Sequence, residues 1–251
     1  KLFSKKNPDL SMRHYKVIPL SKTIGVIEFV DGSISIGDYL FKVDDKKPLG
    51  AHFRYYLDVN KDKENSPILN ASKCFNHCSD VYYEKRTDEN KKTLINCFTQ
   101  IRKSLKPVFH FFFIEQFPNP GDWFVSRLRY CQHTATNSIV GHILGIGDRH
   151  LNNIMIDKKT GEVIHIDLGI AFDQGKSLLV MENVPFRLTA EIIDGMGWLG
   201  KDGIFRKTCE ESMSVLRKNS EYFLTVLEVF TSDPLYSWIL VPKDERERFN
   251  D

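Results

Sequence analysis

The chain has 251 residues, 41% of them hydrophobic, enough for one large domain or two small lobes around a proper core, which excludes global disorder. Its 35 Lys and Arg against 33 Asp and Glu leave a formal charge of +2, so composition supplies no field for holding nucleic acid, and any DNA connection would be indirect, through partners. Five cysteines without a paired framework fit a reduced intracellular protein, and the most apolar run, 108–114, is too short to span a bilayer and contains His110, so no membrane association is expected.

The first ten residues, with Ser4, Lys5, Lys6, Asn7 and Pro8, read as a loop that enters a strand pattern directly, the expectation for a segment of something longer. Residues 15–20 (YKVIPL) and 25–30 (GVIEFV) are short β-branched and aromatic runs that predict paired strands, ended by Asp31 and Gly32. From 42 to 72 no period is sustained, which predicts an irregular, partly exposed insertion. Leu94, Phe98, Ile101 and Leu105 recur at helical spacing, Pro107 marks a restart, and Val108, Phe109, Phe112 and Phe113 begin a heavily buried segment. Asp122 is the expected N-cap of a long helix with Cys131, Ala135, Ile139 and Ile143 on its buried stripe and Gly145 and Gly147 at its end.

Residues 153–157 (NIMID) and 163–167 (VIHID) then predict a β-hairpin in which Gly161 takes a positive φ. After a poorly periodic stretch to about Leu188, helical spacing resumes at Phe205, Cys209, Met213 and Leu216, and again at Phe223, Val226, Leu227 and Phe230. There is no internal repeat. A boundary near Asp31 separates a sheet-rich piece from a helix-rich one, so the expected class is α+β.

The chemistry concentrates in two places: 145–153 reads GIGDRHLNN, and 165–169 reads HIDLG. Phosphoryl transfer needs a carboxylate to orient the acceptor, oxygen ligands for magnesium, and donors to the γ-phosphate. Asp148 suits the first task, Asn153 and Asp167 the second from the two ends of one hairpin, and His150 the third. A surface turn and two strand ends would explain each residue singly, but not five glycine or polar positions at fixed offsets with a second motif directly behind a hairpin. Cys74 and Cys78 flanking His77 have no second ligand pair at zinc spacing, His142 reads as a packing residue, and 243–248 (KDERER) as a solvated helix end.

The five-residue step from Asp148 to Asn153 equals that of a kinase catalytic loop, although the histidine follows the aspartate. This order resembles the phosphatidylinositol 3-kinase superfamily, whose loop is G-x-G-D-R-H-x-x-N followed by D-F-G or D-L-G. With DLGIAFDQGK at 167–176, VPFRLT at 184–189 and DPLYSW at 233–238, nearly the whole chain resembles the phosphatidylinositol-3-kinase-related protein kinases of the ATM checkpoint type, most weakly at 42–86. The resemblance implies a bilobal protein-kinase-like fold. Residues 1–31 would end the N-lobe and form the hinge, and 32–251 the mostly helical C-lobe, with catalytic loop 147–153 and activation segment 167–189 anchored by Arg187.

It further implies ATP and Mg²⁺ as cofactors, with Asp148 and His150 catalytic and Asn153 and Asp167 on the metal. Glu28, Phe29 and Val30 would meet adenine, Tyr15 would stand behind it, and Met155 and Ile166 would floor the pocket; for Tyr15, Phe29, Met155 and Ile166 ordinary core packing is the competing reading. Residues 168–182 carry Lys176 alone where lipid kinases have a basic patch, which favours Ser or Thr in proteins, before Gln, over a phosphoinositide; a non-catalytic scaffold is the third reading. A homodimer, a double-strand-break sensor complex, checkpoint and telomere signalling and a nuclear location are also implied. The family's phosphate-binding loop and lysine would precede Tyr15 and a FATC domain would follow Trp238, so these 251 residues alone are expected to bind ATP poorly and to be inactive.

Overall fold

A computed structural model describes residues 10–21, 24–44, 47–56, 88–177 and 184–231. The anticipated strands form: β1 (Val17–Pro19) and β2 (Gly25–Ile27) pair antiparallel with Ile18 opposite Val26. Their side chains are exposed along the whole ribbon. Gly32 then turns the chain into a strand that sequence pattern did not reveal, β3 (Ser33–Ser35). Three residues are too few to display a period of two.

Ser35 ends β3 and caps helix α1 (Ile36–Phe41), its Oγ accepting the Asp38 N–H at 2.9 Å. The stretch expected to be irregular holds more order than its sequence suggests, with a short ribbon of β4 (Val43–Asp44) and β5 (Lys47–Pro48) and then helix α2 (Ala51–Tyr56). Ala51 and His52 of α2 are buried. Helix α3 (Asp88–Ser104) follows, with Leu94 and Ile101 half-buried, but Cys97 is buried where Phe98 was expected and Phe98 is exposed.

Helix α4 (His110–Gln116) and helix α5 (Pro120–Leu144) build the core. Phe109, Phe112, Phe113 and Tyr130 bury their rings against one another, Phe113 and Tyr130 edge to face at 5.2 Å between centroids. Burial of each such ring contributes about 1.5–3 kcal/mol. The N-cap of α5 is Asn119, whose Oδ1 accepts the Gly121 N–H at 2.8 Å; Asp122 lies inside the first turn, where its charge favours the helix dipole, so the helix begins three residues before the expected cap. Cys131, Ala135 and Ile139 are buried as expected, but Ile143 is 42% exposed where α5 runs out past the core. Gly145 ends α5 in the left-handed region at φ 59°, and a Cβ there would fall 2.3 Å from the Phe172 carbonyl oxygen.

The hairpin is β6 (Ile154–Asp157) with β7 (Val163–His165), Gly161 having φ +73° as anticipated, and β3 adds to its open edge in the order β3-β6-β7. Beyond the hairpin, helix α6 (Ala190–Met196), also unforeseen, starts at Thr189 and carries Glu191 and Asp194 to the start of α4. Glu191 Oε2 accepts the Val108 and Phe109 N–H groups at 3.0 and 3.1 Å, and Asp194 Oδ2 accepts the His110 N–H at 2.8 Å. Helices α7 (Ile204–Lys218) and α8 (Ser220–Thr231) complete the described chain. Phe205 and Leu216 of α7 are buried, whereas Val226 of α8 is exposed, against expectation. Cys74, His77, Cys78, 233–238 and 243–248 lie outside the described residues, as do the side chains of Lys176 and Phe230. Among the described residues no helix is long and apolar enough to cross a membrane.

Candidate active site

The hairpin delivers its two ends to one place. Ile166 N–H donates to the Asn153 carbonyl at 3.1 Å, which seats the residue before Asp167 against the end of the 147–153 loop. Asn153, buried at the start of β6, donates from Nδ2 to the Asp148 carbonyl at 3.0 Å and reaches the Asp148 carboxylate at 3.5 Å. Its carboxamide oxygen, Oδ1, is the atom suited to a hard cation. His150 Nε2 stands 3.9 Å from Asp148 Oδ2, and both side chains are exposed to solvent.

Asp148 and Asp167 both adopt left-handed backbone, with φ 58° and 52°. For a residue with a Cβ this costs about 1–3 kcal/mol and persists only where neighbours fix it. Arg149 is one such neighbour, and sequence reasoning gave it no task. It is 7% exposed, and its guanidinium donates to the Gly147 carbonyl at 2.8 Å, to the Ile166 carbonyl at 2.7 Å and to the Asp167 carbonyl. One buried cation thus braces the 147–153 loop to the D-L-G turn. No sequence signal marks this inward direction, since arginines are mostly exposed. Burial, and then the nearby Arg149 charge, lowers the His165 pKa to about 4, so His165 stays neutral beside the brace. A further link is Gly147 N–H to the Ile170 carbonyl at 2.9 Å.

A cleft of about 710 Å³ opens beside this turn, between the β1–β2 ribbon and the hairpin. Tyr15, Glu28, Phe29, Val30, Met155 and Ile166 all line it, and Asp167 reaches its edge. That volume lies within the range of about 300–1,000 Å³ usual for small-molecule sites. Phe29 is 85% exposed, so it packs in no core here. The Glu28 N–H is engaged by the Lys16 carbonyl at 2.8 Å and the Val30 carbonyl accepts the Ser33 hydroxyl at 2.7 Å, which leaves the Val30 N–H and the Glu28 carbonyl as the backbone groups here suited to a ligand. Asp148 and His150 are not among the residues lining this cleft.

Among the described residues no three His, Cys, Asp or Glu side chains stand together as a metal cluster. The donors on hand, one carboxylate and one carboxamide oxygen, suit a divalent ion of the magnesium type, which keeps several waters and binds through one or two protein oxygens plus substrate phosphates. Arranged this way, the site can orient a hydroxyl at Asp148 and hold a metal-bound phosphate at Asn153 and Asp167.

The family model for phosphatidylinositol 3- and 4-kinase matches residues 1–240. The chain is 46% identical over 239 residues to "Serine/threonine-protein kinase ATM" of Arabidopsis thaliana, covering 95% of this chain and 6% of that protein. It is 44% identical over 234 residues to "Serine/threonine-protein kinase tel1" of Emericella nidulans, covering 93% and 8%. Among solved structures it resembles "FAT and kinase domain of CtTel1" with a TM-score of 0.79 and 36% identity, over 98% of this chain and 17% of that one. "Complete CtTel1 dimer with C2 symmetry" gives the same TM-score and identity over 9% of its chain. The chain therefore spans less than a tenth of the length of these two curated relatives.

Proposed function

This chain belongs to the phosphatidylinositol 3- and 4-kinase family, and from that premise we propose that it supplies the hinge and catalytic lobe of an ATP-dependent serine/threonine protein kinase of the ATM and Tel1 type. One observation carries the reading: Asn153 touches Asp148 and, through the hairpin, abuts Asp167 at the edge of a ligand-sized cleft. In that cleft the Val30 N–H and Glu28 carbonyl would meet adenine with Tyr15, Phe29, Met155 and Ile166 enclosing it, and Asp167, on the lining, and Asn153 Oδ1, beside it, would hold Mg²⁺. When bound, the metal neutralises phosphate charge. Asp148 orients the acceptor hydroxyl and takes its proton, and His150 donates to the γ-phosphate.

Protein substrates fit better than lipid, because the relatives are named serine/threonine-protein kinases. Phosphorylation of Ser or Thr before Gln, a homodimer, recruitment through a double-strand-break sensor complex, checkpoint and telomere signalling and a nuclear location complete the proposal. The dimer draws support from the solved CtTel1 dimer. The test is ATP-dependent phosphorylation of a Ser-Gln peptide by the full-length protein, abolished by Asp148→Ala and by Asp167→Ala. Transfer to phosphoinositide in place of peptide would move the assignment to a lipid kinase, and transfer to neither would leave a scaffold.

A further inference from the structure

The β1–β2 ribbon forms one wall of the cleft, yet every residue of its two strands is exposed, so the described residues at its two ends carry its placement. Both ends are pinned to the same turn of the hairpin. Where the chain leaves the ribbon, the Gly32 carbonyl accepts the Lys158 N–H at 3.0 Å and Ser33 pairs with Asp157. Where it enters, Leu10 is fully buried and Ser11 Oγ meets His133 Nε2 of α5 at 2.9 Å. Arg13 follows, and its Nη1 donates to Asp157 Oδ2 and, at 3.2 Å, to Glu162 Oε2. Asp157 is 5% exposed, and its other oxygen, Oδ1, accepts the Lys159 and Thr160 N–H groups at 2.7 and 3.0 Å. Burial raises the Asp157 pKa, but the Lys159 N–H, Arg13 and the Thr160 N–H together lower it more, so the carboxylate is charged at neutral pH. One carboxylate thus shapes the turn with one oxygen and holds the entering chain with the other. Tyr15, two residues after Arg13, and Met155, two residues before Asp157, both line the cleft. Two residues of strand span about 7 Å, so a clamp at Arg13 acts close to both walls.

We propose that Arg13 is a positioning residue for the nucleotide: its clamp on Asp157 and Glu162 sets the spacing between the ribbon and the hairpin, and so holds Tyr15 and Met155 at the separation a bound nucleotide needs. The inference rests on the ATP-binding reading above and adds to it a residue that is itself absent from the cleft lining. Without the clamp the ribbon samples wider positions, only a fraction of molecules keeps the cleft at its binding width, and apparent nucleotide affinity falls by that fraction. Asp148 lies on the other side of the hairpin from the ribbon, in the 147–153 loop, so transfer from bound nucleotide should keep its rate. For an ion pair made by a partly exposed arginine the loss of affinity is about fivefold.

The test uses the full-length protein and measures calorimetric Kd for a non-hydrolysable ATP analogue with Mg²⁺, beside kcat at saturating ATP. Arg13→Ala should raise Kd about fivefold while kcat stays within about twofold of wild type. Asp157→Asn keeps an oxygen for the turn N–H groups but loses the charge, and it should give a similar rise. The double variant should be no worse than either single one, because both cut the same clamp. Arg13→Lys, which retains the charge, should recover part of the affinity, a rescue that a general loss of packing would not give. Unchanged Kd in Arg13→Ala, a fall in kcat with no rise in Kd, or rises that multiply in the double variant would overturn the clamp while leaving the kinase reading intact. A wild-type protein that binds no ATP analogue would remove both together.

Discussion

The guanidinium of Arg149 donates from Nη1 to the carbonyl of Ile166 at 2.7 Å, and so ties the catalytic loop to the residue that precedes Asp167. The same side chain holds Gly147 and Asp167 carbonyls, so the two left-handed aspartates share one buried brace. Arg149→Ala should lower kcat by about a hundredfold, since a displacement of about 1 Å in reacting groups costs that much. Arg149→Lys, with a point charge in place of a planar fork, should recover only part of it. Steady-state kinetics on the full-length protein check this, and near-normal kcat in Arg149→Ala would show that the brace is dispensable.

Asp148 and Asp167 should fail in different ways. Asp148→Asn removes the base but leaves the cleft intact, so nucleotide affinity should hold while transfer falls by about 10²–10⁴-fold. Asp167→Asn removes one of the two carboxylates that the described residues place on the cleft lining, the other being Glu28, so it should weaken magnesium-dependent nucleotide binding itself. Calorimetric binding beside turnover separates the two, and identical binding losses in both variants would contradict the assigned division.

Two substitutions test the corrected helix start. Asn119→Ala removes the side chain that accepts the Gly121 N–H and should cost about 1 kcal/mol of stability. Asp122→Ala removes only a first-turn charge and should cost about 0.3–1 kcal/mol. Denaturant midpoints decide, and a larger loss at Asp122 would restore it as the cap.

His133 sets an acid limit on stability. It is 3% exposed, and its Nε2 is paired with Ser11 Oγ at 2.9 Å. Burial pushes its pKa below the ordinary histidine value, against the pull of Glu162 and of the Val163 backbone and with the push of Arg129 and Arg13. The folded chain then binds fewer protons than the unfolded one below about pH 6.5, so this contribution is full above that pH and is lost as pH falls toward the lowered folded value. His133→Gln should flatten the stability profile in that window. An unchanged slope between wild type and variant would place the acid sensitivity elsewhere.

What the sequence made legible and what it hid have physical reasons. The hinge strands, the hairpin with Gly161 and the aromatic run 109–113 were readable because apolar spacing and turn chemistry act locally. The approach of Asn153 to Asp148 and of Ile166 to Asn153 was readable because two short motifs flank one hairpin. β3 escaped because its pairing with β6 is non-local, and α6 because seven residues containing Gly195 give little helical signal. Arg149 escaped because nothing local marks a buried arginine whose partners are carbonyls, and the burial of Cys97 in place of Phe98 is set by tertiary packing rather than by the period of α3.

The most direct measurement is a structure of the full-length protein with a non-hydrolysable ATP analogue and Mg²⁺. The expected result is adenine against the Val30 N–H and Glu28 carbonyl, with the cation between Asn153 Oδ1 and the Asp167 carboxylate and the γ-phosphate turned toward Asp148. Nucleotide bound away from the cleft, or a cation touching neither Asn153 nor Asp167, would contradict the account.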